Sequence, residues 1–143
     1  MLRQELVFDA ELVGFRNVRR VIAVRDDLTL VDLHYALQSA FGWDDDHMYA
    51  FWLGDKFWTH AEEHYTRPCG GDEPQDPDER SAAIGLDRLG LSEGQQLSYV
   101  FDFGDEWRVR LRVGEIVEHD GRASPRLVKA VGTAPPQYAP SAA

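Results

Sequence analysis

Residues 97 to 113 carry the pattern that most restricts what this chain can fold into. Leu97, Tyr99, Phe101 and Phe103 alternate with Ser98 and Asp102, and Trp107, Val109, Leu111 and Val113 alternate with Arg108, Arg110 and Arg112. A repeat of two puts successive side chains on opposite sides of a strand, so the stretch predicts two strands, each with one buried face. Gly104-Asp105 lies between them at the spacing of a tight turn. The same alternation opens the chain, where Leu2, Leu6, Phe8, Ala10 and Leu12 are interleaved with Arg3, Glu5, Asp9 and Glu11. Val18 to Val24, rich in β-branched residues and closed by Asp26-Asp27, reads as the hairpin partner of that first strand.

Between these pairs the period changes. Thr29 and Asp32 have capping-box spacing, and Leu30, Leu33, Leu37 and Phe41 recur at helical intervals before Gly42, predicting a helix whose apolar stripe packs on the sheet. Met48 to Leu53 and Lys56 to His60, separated by Gly54-Asp55, predict a further tight hairpin. Ile84, Leu86, Leu89 and Leu91 suggest a short helical segment broken by Gly85 and Gly90, and Asp120-Gly121 signals a hairpin before a last strand near 127–131. The predicted fold is α+β in two layers: a largely antiparallel sheet against one main helix plus the short segment. One domain is expected over residues 1–134, with a mobile acidic loop at about 61–80 and a loose proline-containing tail at 135–143.

Size and composition narrow the function classes. A chain of 143 residues suits one domain. Its single cysteine, Cys69, allows no internal disulfide and no zinc site built on cysteine pairs, which points to a reducing cytoplasm. No apolar run approaches the length of a membrane span, and the N-terminus lacks the apolar core of a signal peptide. A net charge of -10 opposes loose binding to nucleic acid or anionic lipid. The charge is partitioned, however: residues 26 to 106 hold 19 acidic and 4 basic side chains, and the two ends together hold 6 acidic and 11 basic. If the ends become neighbours in the sheet, Arg16, Arg19, Arg20, Arg108, Arg110 and Arg112 gather on it, either as a positive face or paired with Glu5, Asp9, Glu11 and Glu115.

Three stretches taken together, LTLVDLHYALQSAFGWDDDHMYAFWL, LSYVFDFGDEWRVRL and VRRVIAV, resemble the plasmid pRiA4b ORF-3-like family across most of residues 5 to 117. The resemblance implies a small bacterial α+β domain, found as an accessory gene of plasmids and insertion elements or as a free-standing cytoplasmic protein, in a family with no established activity. The recurrent positions of the family fall on Arg19, Arg20, Leu33, His34, Gly42, Trp43, Asp46, His47 and Phe51, and then on Tyr99, Asp102, Phe103, Gly104, Asp105 and Trp107. The chain departs from the family pattern at Val18, where a tryptophan is usual, and at Val109, where a histidine is usual. Past Pro135-Pro136 it lacks the acidic, cysteine-containing end of other members.

The candidate ligand-binding residues are His34, Trp43, His47, Asp102, Asp105 and Trp107. His34 shares the buried helical stripe and therefore needs a partner, and His47 follows Asp44-Asp45-Asp46. If folding brings them together, His34, His47, Asp102 and Asp105 supply the donor types of a divalent metal or acid/base site. The plainer account gives His34 a backbone carbonyl, gives a turn carboxylate the N–H groups of the turn, and gives Gly104 its unusual dihedrals. The aromatic cluster of Trp43, Trp52, Trp58 and Trp107 reads first as core, but by strand register Trp52 and Trp58 face opposite ways from Phe51 and Phe57, which leaves one of these pairs available to a peptide, a base or a small ligand. His60-Ala61-Glu62-Glu63-His64 matches an inverted zinc-protease pattern but straddles a strand end and a proline-rich loop, so chance explains it better. Asp102-Phe103-Gly104 spells a kinase metal triplet without the rest of a kinase.

The leading expectation is a non-catalytic interaction or ligand-binding module for a protein or small-molecule partner, with no cofactor and no membrane association. One alternative is a metal-assisted hydrolytic or acid/base enzyme using His34, His47, Asp102 and Asp105. Another is a mobile-element accessory protein that binds nucleic acid through Arg19, Arg20, Arg108, Arg110 and Arg112, which the net charge disfavours.

Overall fold

The computed structural model describes residues 3–59, 63–68 and 79–138. Among them are β1 (Gln4–Leu12), β2 (Arg19–Arg25), α1 (Leu30–Phe41), β3 (Tyr49–Trp52), β4 (His64–Thr66), β5 (Glu79–Ser81), β6 (Gln96–Phe101), β7 (Trp107–Glu118) and β8 (Arg126–Val131), with one 3₁₀ turn at Leu86–Arg88. The strands form one eight-stranded sheet in the order β5-β4-β3-β6-β7-β1-β2-β8. Every neighbouring pair is antiparallel except β4 with β5. The protein is thus mostly β, with the single main α-helix expected and a sheet large enough that a two-layer α+β arrangement is not its plain description.

Alternation and capping account for the expected elements. On one side of the sheet Phe8, Leu12, Ile22, Leu97, Tyr99 and Leu111 are fully buried, and α1 lays Leu30, Leu33 and Leu37 against the same core. Side chains of this size contribute roughly 1.5–3 kcal/mol each when buried, so the amphipathic faces dominate the stability of the sheet. Thr29 and Asp32 form the capping box that starts α1, and Gly42 ends it in the left-handed conformation at φ 74°. The hairpins β1–β2 and β6–β7 lie side by side because β1 also pairs with β7, and this makes the basic ends of the chain neighbours.

Three connections differ from expectation. Gly54-Asp55 does not turn a hairpin: β3 pairs with β4, Phe51 opposite Tyr65, and residues 53–59 instead fold over the back of the sheet. There Phe57 packs on Ala50, Trp52 and Val100, an apolar burial that a free hairpin would forgo. Asp120-Gly121 does not join paired strands either. Both edges of β7 are already taken by β6 and β1, so the chain crosses to the far side of β2, where Leu127 lies opposite Ile22. The β6–β7 connection spans Asp102 to Glu106, with left-handed φ at Asp102 (63°) and Glu106 (54°) rather than at Gly104. Phe103 thereby leaves the alternation and is exposed.

Within the expected acidic loop, His64–Thr66 and Glu79–Ser81 are strands. Residues 60–62 and 69–78, which include Cys69 and most of the His60–His64 motif, lie outside the described residues. The C-terminal segment is anchored at least as far as Tyr138, since the Gln137 side chain accepts from Asp44 N at 2.6 Å and donates to Asp44 O at 3.2 Å. Among the described residues no helix is long and apolar enough to cross a membrane.

Candidate functional site

The helical spacing that places His34 on the buried stripe of α1 leaves it 0 % exposed. Its Nε2 lies 2.7 Å from Asp45 Oδ1 and its Nδ1 2.7 Å from the Tyr99 hydroxyl, and the ring stacks on Tyr49 with centroids 3.6 Å apart. Gln38 Nε2 donates to the same hydroxyl at 3.0 Å. The donors fit one pattern: Gln38 donates to Tyr99, Tyr99 to His34 Nδ1, and His34 Nε2–H to Asp45. Burial holds the proton affinity of His34 below that of an ordinary histidine, against the opposing pull of Asp45. Burial also drives the Tyr99 hydroxyl well above its usual ionisation range and raises Tyr49. With both ring nitrogens engaged and no exposed surface, His34 is a neutral structural residue. Its partner Asp45 and the donor Tyr99 replace the backbone carbonyl that was expected.

His47 lies apart from this network, on the surface. Its Nε2 is 3.0 Å from the Tyr138 hydroxyl, 3.4 Å from Asp46 Oδ1 and 3.4 Å from Asp102 Oδ2. Tyr138 donates to Asp46 Oδ2 at 2.7 Å, a bond that lowers the Asp46 carboxyl and, with burial and the nearby carboxylates, pushes the tyrosine up to about 12. Asp102 uses its other oxygen to accept from Gly104 N (3.1 Å) and Asp105 N (3.2 Å), the turn role anticipated for it. The exposed Asp105 contributes its backbone N–H to this turn. The four residues of the metal or acid/base alternative are therefore split: His47 meets Asp102, His34 pairs with Asp45, and Asp105 reaches Asp102 through its backbone N–H. Among the described residues, the one group of three or more His, Cys, Asp or Glu side chains with donor atoms all within 4.8 Å of one another is Glu5, His119 and Asp120. Arg126 is bonded to Glu5 and Arg122 to Asp120, so guanidinium groups already neutralise that cluster.

Trp43 and Trp107 belong to a stack. Trp43 is buried against Phe41 (4.9 Å) and Phe101 (5.5 Å), and Trp107 lies 5.7 Å from both Trp43 and Phe15. Neither indole N–H has a hydrogen-bond partner among the described residues.

The sequence leaves the Trp52 and Trp58 pair open to a ligand but does not reveal the concave surface that the two help to line on the back of the sheet. A cleft of about 290 Å³ opens between β3, β4 and the 53–59 segment, walled by Met48, Trp52, Trp58, His64, Glu79 and Phe103. Trp58 packs edge-on against Trp52 (5.3 Å, 63°) and against Phe103 (4.9 Å, 74°), so successive rings stand as steep walls. Met48, Trp58 and Phe103 are 37 %, 42 % and 38 % exposed. Trp58 sits at φ 53°, a conformation that costs a bulky residue on the order of 1–3 kcal/mol. Its indole is held by a 2.6 Å hydrogen bond to Glu106. The signal available in the sequence was the density of aromatics around Gly54. Reading it as a hairpin placed Trp58 on a strand instead of in a fold-back.

The match to the model of the plasmid pRiA4b ORF-3-like protein family runs over residues 6–139. The chain belongs to this family. It is 29 % identical over 120 residues to the uncharacterized protein y4hQ of Sinorhizobium fredii, covering 84 % of this chain and 58 % of that relative. The chain thus spans less than two-thirds of the length of this curated relative. It also resembles in fold the crystal structure of the protein of unknown function MM3350 from Methanosarcina mazei Go1, with a TM-score of 0.78 and 22 % identity over 96 % of this chain and 74 % of that one.

Val18 and Val109, where the resemblance implies a tryptophan and a histidine, are buried in the core. The arginines do not form a common free face. Arg20 points into the helix side, 6 % exposed, and donates to Ala40 O, Arg19 O and Val131 O. Arg19 is paired with Asp9 (2.6 Å) and Arg108 with Glu106 (2.8 Å), while Arg108 and Arg110 lie over the Phe57 ring at 5.1 and 5.6 Å. Arg112 is exposed on β7 directly across from Asp9 on β1. Carboxylates therefore stand beside three of these arginines, Asp9 at Arg19 and Arg112 and Glu106 at Arg108.

Proposed function

We propose that this family member is a non-catalytic binding module, a cytoplasmic domain whose two-layer α+β frame presents the cleft of Met48, Trp52, Trp58 and Phe103 to a ligand or to a side chain of a partner. One observation carries the reading: Met48, Trp58 and Phe103, 37 %, 42 % and 38 % exposed, line a single concavity, and one of them is held there in a strained backbone conformation. Large apolar groups are normally exposed singly, and a concave group of them with a few polar atoms marks a recognition surface. A single cysteine in 143 residues supports the cytoplasmic assignment, and the plasmid-borne namesake of the family supports a mobile-element origin. None of the candidate ligand-binding residues taken from the sequence lines the cleft: His34, Trp43 and Trp107 pack in the core on the helix side of the sheet, and His47 and Asp102 are only chain neighbours of the lining residues Met48 and Phe103.

A fragment titration followed by two-dimensional NMR tests the proposal through the indole N–H signals. Ligands are expected to move the Trp52 and Trp58 signals and leave those of Trp43 and Trp107 in place. Fragments that perturb only Trp43 and Trp107, or none of the four, would refute it.

A further inference from the structure

From the ring geometry of the cleft we infer its ligand class: an organic cation with an alkylated ammonium head. The inference rests on the cleft being a binding site, as proposed above, and adds the chemistry it selects. A cation is attracted to the faces of aromatic rings, tryptophan best, and rings standing steeply to one another can surround one positive centre. Here Trp52 and Trp58 meet at 63° and Trp58 and Phe103 at 74°, with centroids 5.3 and 4.9 Å apart. The hydrogen bond from the Trp58 Nε1–H to Glu106 Oε1, at 2.6 Å, fixes the central ring, and the same oxygen accepts from Arg108 at 2.8 Å. The Glu79 side chain, accepting from Thr66 Oγ1 at 2.9 Å, brings a carboxylate to the same wall. Met48 adds a polarisable thioether, suited to N-methyl groups. An alkylated ammonium fits better than a bare one because its charge is spread over methyl groups and is cheaper to desolvate among rings.

Choline and its uncharged isostere 3,3-dimethylbutan-1-ol differ in that one carbon replaces the nitrogen, so titrating both against the protein isolates the charge. The inference expects choline to shift the Trp52 and Trp58 indole signals and to bind at least tenfold more tightly than the alcohol. Trp58→Ala and Phe103→Ala should each weaken choline at least tenfold, while Trp58→Phe, which keeps a ring at the position, should lose less than Trp58→Ala. A peptide carrying trimethyl-lysine and free choline, run in parallel, separate a protein-borne head group from a free metabolite. Equal binding of choline and the alcohol overturns the cation assignment and leaves the cleft reading standing. Binding of neutral fragments with no binding of choline or the peptide overturns it in the same way. Failure of every probe defeats both.

Discussion

Tyr99→Phe deletes one oxygen from the best-sealed part of the molecule and leaves the ring that packs 4.7 Å from Phe51 in place. The missing hydroxyl had accepted from Gln38 Nε2 (3.0 Å) and donated to His34 Nδ1 (2.7 Å), on side chains 4 % and 0 % exposed. Two polar atoms are then stranded without water. Each stranded group costs about 1–3 kcal/mol, and partial relaxation trims the sum, so the variant should lose about 2–4 kcal/mol. Against a typical total of ~5–15 kcal/mol that is a large fraction. Urea unfolding at pH 7.5, followed by tryptophan fluorescence, measures it. The same network predicts a pH dependence. Folded His34 resists the proton that the unfolded chain accepts near the ordinary histidine value of 6.5. Its contribution is therefore complete above that pH and declines as the pH falls toward the lower folded value. For one proton the slope is at most ~1.4 kcal/mol per pH unit. His34→Gln should flatten this part of the curve between pH 6.5 and the onset of carboxylate titration. A Tyr99→Phe loss below ~0.5 kcal/mol with an unchanged denaturant slope would refute the reasoning, because it would mean the stranded atoms find other partners.

Two further substitutions probe the frame around the site. Arg126→Met leaves Glu5, 2 % exposed, without the guanidinium bonded to it, and should cost about 3–5 kcal/mol by urea unfolding; the double change with Glu5→Gln should recover part of that loss. Gly132→Ala places a Cβ 2.0 Å from Asn17 O at φ 74°, so either the β1–β2 connection or the end of β8 must shift. We expect a fall in melting temperature of several degrees, equivalent to about 1–3 kcal/mol, whereas Gly121→Ala, with open space around its Cβ, should lose less.

The order of the chain fixed much of the frame before folding is considered. Alternation marked β1, β2, β6 and β7, and a capping box with apolar residues at helical spacing marked α1, because both patterns are local consequences of backbone period. The same logic placed His34 on the buried stripe and required it to have a partner. It also placed Asp102 in a turn, where its carboxylate accepts two backbone N–H groups at 3.1 and 3.2 Å.

Tertiary structure decided what depends on competition between distant segments. Each strand edge can be satisfied once, so the occupied edges of β7 sent β8 to β2 despite the turn signal at Asp120-Gly121. The three-residue strands β4 and β5 are too short to carry a period, and they exist through their pairing with β3 and with each other. His34 met Asp45 and Tyr99, not Asp102, because hydrogen bonding demands an approach of about 3 Å, which spacing along the chain cannot specify. The cleft followed from the same cause: Phe57 gains more by burial on the back of the sheet than a hairpin offers, and that fold-back stands Trp58 beside Trp52 and Phe103.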